Sequence, residues 1–404
     1  MIRLKDTRHS NTSEFLTSAI RIAEYYGFSP LDDMKPMKIA EGGTETRTRQ
    51  KNAKPEEIAF ARRDERALAS SARKCVSCAR GRGEGLLAWR VSSGAGSVPS
   101  VSLDLHVMGV PSAVAEALLL LVVSAISEEA GITDRSIAIN SIGSFDSSNR
   151  YVRDVGMYLR KHIDTISPTL RPRAALDPLG TLVQLIERGH PAAPRAPQSM
   201  EYLTEEERRK FWELLEYLEA AGLPYELSPH VLGSRDCWAH SLYEISTEDK
   251  ESGARLTFAF GGRYDPLATR FANGTHMPAV NISVLCELRG KARPKREARG
   301  VPLIYFAHLG PEARRRALGV LEDLRRAEIP VYQSLLYERI GEQMIKARSL
   351  GVPYIIIMGY KEATENTVLV REVSSNSQEA VPVGDLTGYL RRRRFAPWKS
   401  EVKA

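Results

Sequence analysis

The stretch "RLTFAFGGRYDPLATRF", residues 255–271, joins an alternating strand to a turn that contains two glycines. Polar and apolar residues alternate along 255–260, which is typical of a strand with one buried face. Gly261 and Gly262 follow at once, and paired glycines let another backbone or a ligand approach closely. The turn is therefore either a packed strand junction, with Arg263 and Asp265 paired internally, or a loop that contacts a ligand.

Strand-like stretches with helices between them continue on the N-terminal side of this turn. "VSLDLHVMGV" (101–110), "RSIAINSIGS" (135–144) and "HSLYEIST" (240–247) have strand patterns. Residues 204–222 read as a helix, with Thr204 and Glu207 as a capping box and Gly222 at the C-terminal cap. A run of strands with inserted helices indicates a largely antiparallel sheet, so we predict an α+β fold for residues 1–298.

The pattern changes after a basic, proline-containing linker at 290–302. Strands such as "LIYFAHL" (303–309) and "YIIIMG" (354–359) then alternate with helices such as 311–328. This alternation predicts an α/β domain at 299–395, followed by a basic tail at 396–404. Residues 35–58 are polar without a period, and we predict that they form a mobile loop.

Composition limits the class of protein. The chain has 404 residues, a formal net charge of +7 and four cysteines. So few cysteines argue against a disulfide framework, and the N-terminus has no apolar core of a secretory signal. The apolar run 117–126 is too short to span a bilayer. We therefore predict a cytoplasmic protein without membrane contact, whose basic charge mildly favours an acidic partner such as nucleic acid.

Three motifs carry a resemblance to a known family. "NSIGS" (140–144), "GGRYD" (261–265) followed by "PAV" (278–280), and "IGEQMIKARSLGVPYIIIMG" (340–359) together resemble histidyl-tRNA synthetase, a class II aminoacyl-tRNA synthetase. The resemblance implies a catalytic-like domain at 1–298 built on an antiparallel sheet, and an anticodon-binding-like domain at 299–395. It also implies a homodimer with tRNA as a partner.

The chain departs from the family where charge is needed on the nucleotide phosphates. The family's third motif runs Pro-Ala-Val-Gly-Phe-x-x-Gly-Leu-Glu-Arg, whereas this chain reads "PAVNISVLCEL" (278–288). Glu287 survives, the arginine position falls on Leu288, and Arg289 stands one residue late. A one-residue shift on a strand or helix aims the side chain elsewhere.

The two other arginine-bearing elements are also altered. In "LLAWRVSSGAGSVPSVSLDLHVMG" (86–109) only Arg90 remains before the turn, and the position of the family's glutamate falls near His106. In "GSRDCW" (233–238) Asp236 is kept, the arginine position falls on Gly233, and Arg235 could substitute only in a rebuilt loop.

These comparisons leave no confident catalytic residue. The remnant catalytic candidates are Arg90, Arg235, Glu287 and Arg289. The remnant ligand-pocket candidates are Gly261, Gly262, Arg263, Tyr264, Asp265, Asp236 and His106. Losing one electrostatic stabiliser typically costs on the order of 100- to 1000-fold in rate, so several losses predict no useful aminoacylation.

We therefore predict a histidyl-tRNA synthetase-like protein that binds tRNA or another structured RNA in a regulatory or accessory role, with no cofactor. The candidate RNA contacts are Glu342, Gln343, Lys346, Arg348, Arg391, Arg392, Arg393 and Arg394. One alternative is an active histidine–tRNA ligase that uses ATP with Mg²⁺. Another is a protein-binding regulator like the synthetase-related subunit of ATP phosphoribosyltransferase.

A cysteine pair and a basic stretch each allow more than one interpretation. "CVSC" (75–78) is a single C-x-x-C pair, too few ligands for a structural zinc site unless distant residues join it, so we predict no metal. The basic stretch 62–82 reads either as a solvated helix or as a surface that faces RNA.

Overall fold

The computed structural model describes residues 1–36, 63–80, 84–94, 98–249, 251–296 and 302–393. Most of the predicted mobile loop at 35–58 lies outside the described residues. So do Arg394 and the whole basic tail at 396–404.

The described residues contain two sheets. The strands of the first sheet are β1 (Ser29–Pro30), β2 (Leu86–Ser93), β3 (Ser100–Met108), β4 (Ser136–Gly143), β5 (Glu226–Leu227), β6 (Ala239–Glu248), β7 (Arg255–Arg263) and β8 (Ala279–Glu287). Those of the second are β9 (Ile304–His308), β10 (Val331–Gln333), β11 (Tyr354–Met358), β12 (Thr367–Glu372) and β13 (Gln378–Pro382).

Helices lie between and around these strands. Their bounds are α1 (Thr12–Tyr25), α2 (Arg63–Ala79), α3 (Val114–Glu129), α4 (Phe145–Lys161), α5 (Arg171–Leu176), α6 (Pro178–Glu187), α7 (Glu205–Ala220), α8 (Asp265–Phe271), α9 (Pro311–Arg326), α10 (Ile340–Leu350), α11 (Tyr360–Glu365) and α12 (Val383–Arg392). Among the described helices, none combines the length and the apolar character that a bilayer crossing requires.

The first sheet has the strand order β1-β2-β3-β8-β7-β6-β4-β5. The six inner strands pair antiparallel, and only the two short edge strands pair parallel. This order confirms the predicted α+β fold with a largely antiparallel sheet. The capping box of α7 is confirmed too, because the Thr204 side chain accepts from the Glu207 amide and the Glu207 side chain accepts from the Thr204 amide.

The two faces of the first sheet are covered by different helices. Alternate residues of β3, such as Leu103 and Leu105, pack with α1 and α3 in one core cluster. Met108, Ala88 and Phe260 pack with α2, α8 and the helices of 145–187 in a second cluster. We call this second face the α2 face, and it also carries the predicted pocket residue His106.

The second sheet has the order β10-β9-β11-β12-β13. Its first three strands are parallel and the last two are antiparallel, as expected of an α/β unit with an antiparallel edge. Ile304 and Phe306 of β9 belong to the same hydrophobic core as α1 and α3. The core is continuous between the sheets, so the boundary at residue 298 stays a prediction.

Candidate functional site

The glycine pair of the opening turn is required by neighbouring strands. A Cβ atom on Gly261 would stand 2.0 Å from the carbonyl oxygen of Asn281 in β8, and one on Gly262 would stand 2.4 Å from that of Ser241 in β6. Real Cβ atoms do not approach oxygen so closely, so a side chain at either position would force the strands apart. The glycines therefore serve the strand junction itself.

Arg263 is held inside the protein by Glu116 of α3. Its Nε and Nη2 donate to the two Glu116 carboxylate oxygens at 2.8 and 2.7 Å, and Nη1 donates to the Val110 carbonyl at 3.2 Å. Asp265 is a weaker partner, at 3.5 Å. Burial alone lowers the pKa of Arg263, but the charge of Glu116 outweighs it and raises the pKa. Sequence patterns did not identify Glu116 as the partner of Arg263, because the two residues are 147 positions apart in the chain.

Tyr264 and Asp265 also find internal partners. The Tyr264 hydroxyl lies 3.0 Å from Nδ1 of His106 and 2.9 Å from the Met108 sulfur. Asp265 accepts a 2.7 Å hydrogen bond from the Ala279 amide. Burial, reinforced by the charge of Arg90, lowers the pKa of His106 to about 3, so its imidazole is neutral at physiological pH.

Helix α2 closes the face that carries His106. Leu68, Ala72 and Cys75 are buried against Ala88 and Met108 of β2 and β3. Burial raises the pKa of the Cys75 thiol far above its usual range, which makes it unreactive. Cys78 is buried and free as well. Among the described residues, no cluster of three or more His, Cys, Asp or Glu side chains could hold a metal.

The described cations of α2 are tied to the protein itself. Lys74 forms a 2.7 Å ion pair with Asp32. Arg73 lies over the Phe271 ring at 4.7 Å. The α2 helix is thus amphipathic, with one side packed against the sheet. The two interpretations made from the sequence, a solvated helix and a helix that faces RNA, did not include this packing. Arg62 and Arg82 lie outside the described residues.

Gly233 stands at the position of the family's third arginine, and neighbouring side chains already occupy the space around it. A Cβ atom on Gly233 would stand 2.5 Å from Cδ1 of Trp238 and 2.9 Å from Oε1 of Glu65. That Glu65 oxygen accepts hydrogen bonds from the Ser234 amide at 2.7 Å and from the Trp238 indole at 3.0 Å. Glu65 belongs to α2, so the helix locks this loop as well as covering the sheet. No local sequence pattern indicated this contact, because Glu65 and Trp238 are 173 positions apart in the chain.

The three candidate arginines contact different parts of the molecule. Arg90 lies 3.7 Å from Asp32. Arg235 hydrogen-bonds Asn149 at the start of α4. Arg289 is 61% exposed and lies 4.0 Å from Glu287.

The remaining two candidates bond to nearby main chain and side chains. The Glu287 carboxylate accepts from the Leu4 amide at 3.0 Å, which ties it to the N-terminal segment. The Asp236 amide donates to the Ser234 hydroxyl at 3.2 Å inside its own loop. In the register of β3 and β8, Glu287 lies opposite Ser100, six residues along β8 from Asn281, which lies opposite His106.

The candidate RNA contacts on α10 divide into exposed and buried residues. Gln343 is fully buried: its Oε1 accepts from the His308 amide and its Nε2 donates to the His308 carbonyl, both at 2.9 Å. The prediction of Gln343 as an RNA contact is therefore wrong, because its amide is used inside the second sheet. Glu342 and Arg348 are exposed. Lys346 is partly buried and forms a 3.0 Å ion pair with Glu84.

The arginines at the end of α12 are exposed. Arg391 donates to the Ala327 carbonyl at 3.3 Å, next to the end of α9. Arg393 lies over the Tyr389 ring at 4.9 Å, and Arg392 is exposed beside it. Tyr360, at the start of α11, was not singled out from the sequence, yet its side chain is 72% exposed.

Comparisons with known proteins found one family model, related sequences and a solved structure that resemble this chain. Residues 304–393 match the family model described as the anticodon binding domain. The chain is 26% identical over 297 residues to the histidine–tRNA ligase of Lysinibacillus sphaericus (strain C3-41), covering 72% of this chain and 69% of that one. It is also 26% identical over 300 residues to that of Geobacillus kaustophilus (strain HTA426), covering 72% and 70%. The apo S. aureus histidyl-tRNA synthetase structure aligns over 80% of each chain, with 19% identity and a TM-score of 0.43.

The antiparallel sheet with flanking helices, followed by a C-terminal anticodon-binding domain, defines a class II aminoacyl-tRNA synthetase fold. Within that class, the sequence is similar to histidine–tRNA ligases.

Proposed function

We propose that this protein is a member of the histidyl-tRNA synthetase family, that it binds tRNA or another structured RNA, and that it does not join histidine to tRNA. The observation that carries the proposal is the closed α2 face. His106 and Tyr264, two positions expected in a ligand pocket, have no solvent-exposed surface, and α2 packs over them. A substrate could reach them only if a helix with a buried apolar side left the sheet.

Electrostatics supports the same conclusion. Activation of an amino acid by ATP develops charge on phosphate oxygens, and arginine is the side chain best suited to hold it. The space at Gly233 is taken by Trp238 and Glu65, so an arginine from that position has no room. Arg90, Arg235 and Arg289 each contact a different element. These residues do not fit a bound ATP with Mg²⁺.

RNA binding is supported by the C-terminal unit and by its exposed cations. Arg348 on α10 and Arg391 and Arg392 on α12 are exposed, and the whole chain carries a net charge of +7. The exposed ring of Tyr360 offers a surface on which a base can stack. A regulatory or accessory role follows if the RNA is bound without being charged with an amino acid.

We further propose that the protein acts in the cytoplasm as a homodimer. The four cysteines are all buried and form no disulfide with one another, which suits a reducing compartment. Sedimentation velocity of the purified chain measures the oligomeric state directly, and a single species at the monomer mass of 44.9 kDa contradicts the dimer.

The decisive experiment measures histidine-dependent exchange of pyrophosphate into ATP with the full chain. The Geobacillus kaustophilus histidine–tRNA ligase, assayed in parallel, is the positive control. We expect exchange at the level of the no-enzyme blank for this protein, together with retention of labelled tRNA in a binding assay. Exchange that depends on histidine establishes the active ligase instead. If the chain binds no RNA and an enzyme subunit co-purifies with it as a stable partner, the protein is instead a protein-binding regulator.

A further inference from the structure

A cleft lined by tyrosines lies between the first sheet and the second. The end of α1, the start of β2 and the turn after β3 form one wall, and β9, β10 and α10 form the other. Its volume is about 630 Å³, which is in the range of sites for small organic ligands. We call it the tyrosine cleft, after the four tyrosines that line it: Tyr25, Tyr305, Tyr332 and Tyr337. Sequence patterns did not indicate it, because its two walls come from opposite ends of the chain.

The walls of the tyrosine cleft are held in place by hydrogen bonds between its two sides. The Tyr25 hydroxyl donates to the Ile329 carbonyl at 2.9 Å. Gln333 donates through Nε2 to the Tyr26 carbonyl at 3.0 Å, and its Oε1 accepts from the Leu335 amide at 2.7 Å. The shape of the cleft is therefore set before any ligand enters, so binding costs little ordering of the protein.

One buried polar group of the cleft is left unsatisfied. Tyr305 of β9 is 1% exposed, and its hydroxyl makes no hydrogen bond of normal geometry with the described residues. A contact with the Ser334 hydroxyl does not satisfy it, because that hydroxyl hydrogen-bonds Oε1 of Gln343 at 2.8 Å. Burial raises the pKa of Tyr305, so the group stays a neutral donor. A buried hydroxyl without a partner is costly, and a ligand atom that accepts from it removes that cost.

The charged residues of the lining do not favour an anion. Glu84 forms a 3.0 Å ion pair with Lys346 and a hydrogen bond with the Tyr337 hydroxyl. The other charged residues of the lining are exposed: Arg339, Glu338 and Glu342. Carboxylates outnumber cations by three to two, so the cleft has no surplus of positive charge with which to hold a phosphate group. Carboxylates at the exposed edge can instead accept hydrogen bonds from the hydroxyl groups of an uncharged ligand.

We propose that the tyrosine cleft binds a free, unphosphorylated nucleoside. Aromatic side chains stack on the flat face of any base, and the half-buried ring of Tyr332 is supported from behind by the small core cluster under α10. A base also carries the acceptor atoms that the Tyr305 hydroxyl lacks, and the ribose hydroxyls suit the carboxylates of Glu338 and Glu342. The cleft is separate from His106, which α2 covers, and its occupation does not depend on RNA binding.

The test is calorimetric titration of the full chain with adenosine, guanosine, cytidine and uridine, and with the monophosphate of whichever binds. We expect at least one nucleoside to bind and its monophosphate to bind more weakly. Tyr332→Leu removes the stacking ring and should weaken binding about tenfold or more. Tyr305→Phe should weaken it about 2- to 10-fold without lowering the urea midpoint, because the lost hydroxyl had no partner in the protein. Tyr225→Leu and Tyr225→Phe are the matched controls, since the Tyr225 hydroxyl bonds Glu219 outside the cleft, and both should leave nucleoside binding unchanged.

Several results would overturn the proposal. They are the absence of binding by all four nucleosides, a monophosphate that binds as tightly as its nucleoside, and nucleoside binding that neither cleft variant weakens. A urea midpoint that falls in Tyr305→Phe would show that its hydroxyl is satisfied within the fold. If no nucleoside binds and Tyr332→Leu weakens the binding of labelled tRNA, the cleft holds a base of the RNA instead. The proposed function is judged separately, by tRNA retention and by pyrophosphate exchange in the wild-type chain.

Discussion

Arg263 and Glu116 form a bidentate ion pair that ties the turn after β7 to the first turn of α3. The two nitrogen–oxygen distances are 2.8 and 2.7 Å, and each side chain is only 5% exposed. The residues are separated by 147 positions in the chain. Because the guanidinium is satisfied inside the protein, the "GGRYD" stretch has a structural reason to persist without any ligand.

Removing one member of this pair should destabilise the protein strongly. Arg263→Met leaves the buried Glu116 carboxylate without its charged partner, although the Ser241 hydroxyl still donates to it. Breaking a buried pair in this way typically costs about 3 to 5 kcal/mol. Urea unfolding followed by circular dichroism measures the loss. The control is Arg255→Met on the same strand, where the pair with Glu226 is half exposed and contributes about 1 kcal/mol or less. If the two variants lose the same free energy of unfolding, the buried pair stabilises the protein no more than the half-exposed pair does.

Restoring the family's arginine at position 233 should not restore the chemistry. In Gly233→Arg the new side chain meets Trp238 and Glu65, and overpacking of this kind costs about 1 to 3 kcal/mol. We expect a lower urea midpoint and pyrophosphate exchange still at background. Gly384→Arg controls for the added charge and for the loss of a glycine, because Gly384 of α12 is exposed, has no positive φ and has no atom within 4 Å of its Cβ position. Histidine-dependent exchange in Gly233→Arg alone would reopen the active-ligase interpretation.

Local sequence signals were sufficient to predict the architecture. Alternation predicted the strands, and the Thr204–Glu207 capping box predicted the start of α7, which the structure confirms. Both signals act over a few residues, so they survive without knowledge of the tertiary fold. The apolar run 117–126 is too short to span a bilayer, and α3, which contains it, is buried over most of its length.

The contacts that define the candidate site act over long distances in the chain. Glu116 meets Arg263, and Glu65 meets Trp238 across 173 positions. Neither partner lies in a recognisable motif, so position alone could not indicate the pairs. Gln343 shows the opposite error. It lies on a helix that resembles the family's anticodon-reading element, which suggested RNA contact, whereas its side-chain amide hydrogen-bonds the His308 amide and carbonyl.

Glu207 should make stability depend on acid pH. Burial raises the pKa of Glu207, but hydrogen bonds from Ser144, Thr204 and Ser147 outweigh burial and lower it to about 2. Since the unfolded value is about 4.3, the stabilisation is complete above that pH and is lost as the pH falls toward 2. Glu207→Gln should therefore cost about 1 to 2 kcal/mol at pH 7, and the difference from wild type should shrink by pH 3.

Unfolding in urea at pH 7, 5 and 3 checks this dependence. Glu205→Gln is the control, because Glu205 lies in the same helical turn but is exposed. It should change the free energy of unfolding by about 0.5 kcal/mol or less at every pH. A Glu207→Gln difference that stays constant from pH 7 to pH 3 would contradict the assigned ionisation.

Two neighbours on α10 should separate folding from RNA binding. Gln343→Leu leaves the His308 amide and carbonyl without their partner, and two unsatisfied buried groups cost about 2 to 4 kcal/mol in total. Arg348→Gln removes an exposed charge and should leave the free energy of unfolding unchanged. It should weaken tRNA binding and reduce the magnitude of the slope of log K against log salt concentration by about 0.7 to 0.9.

Both α10 variants are measured by urea unfolding and by titration with fluorescently labelled tRNA at several salt concentrations. Each titration is made at a temperature where the variant is folded. Folded Gln343→Leu should bind tRNA with wild-type affinity, because its side chain is enclosed by His308 and Ser334 and cannot reach a ligand. The exposed Ile345→Gln, which changes no charge, is the control for disturbing the helix surface. A tRNA affinity that falls in folded Gln343→Leu but not in Arg348→Gln would mean that the RNA enters the second sheet beneath α10 rather than contacting the exposed side of that helix.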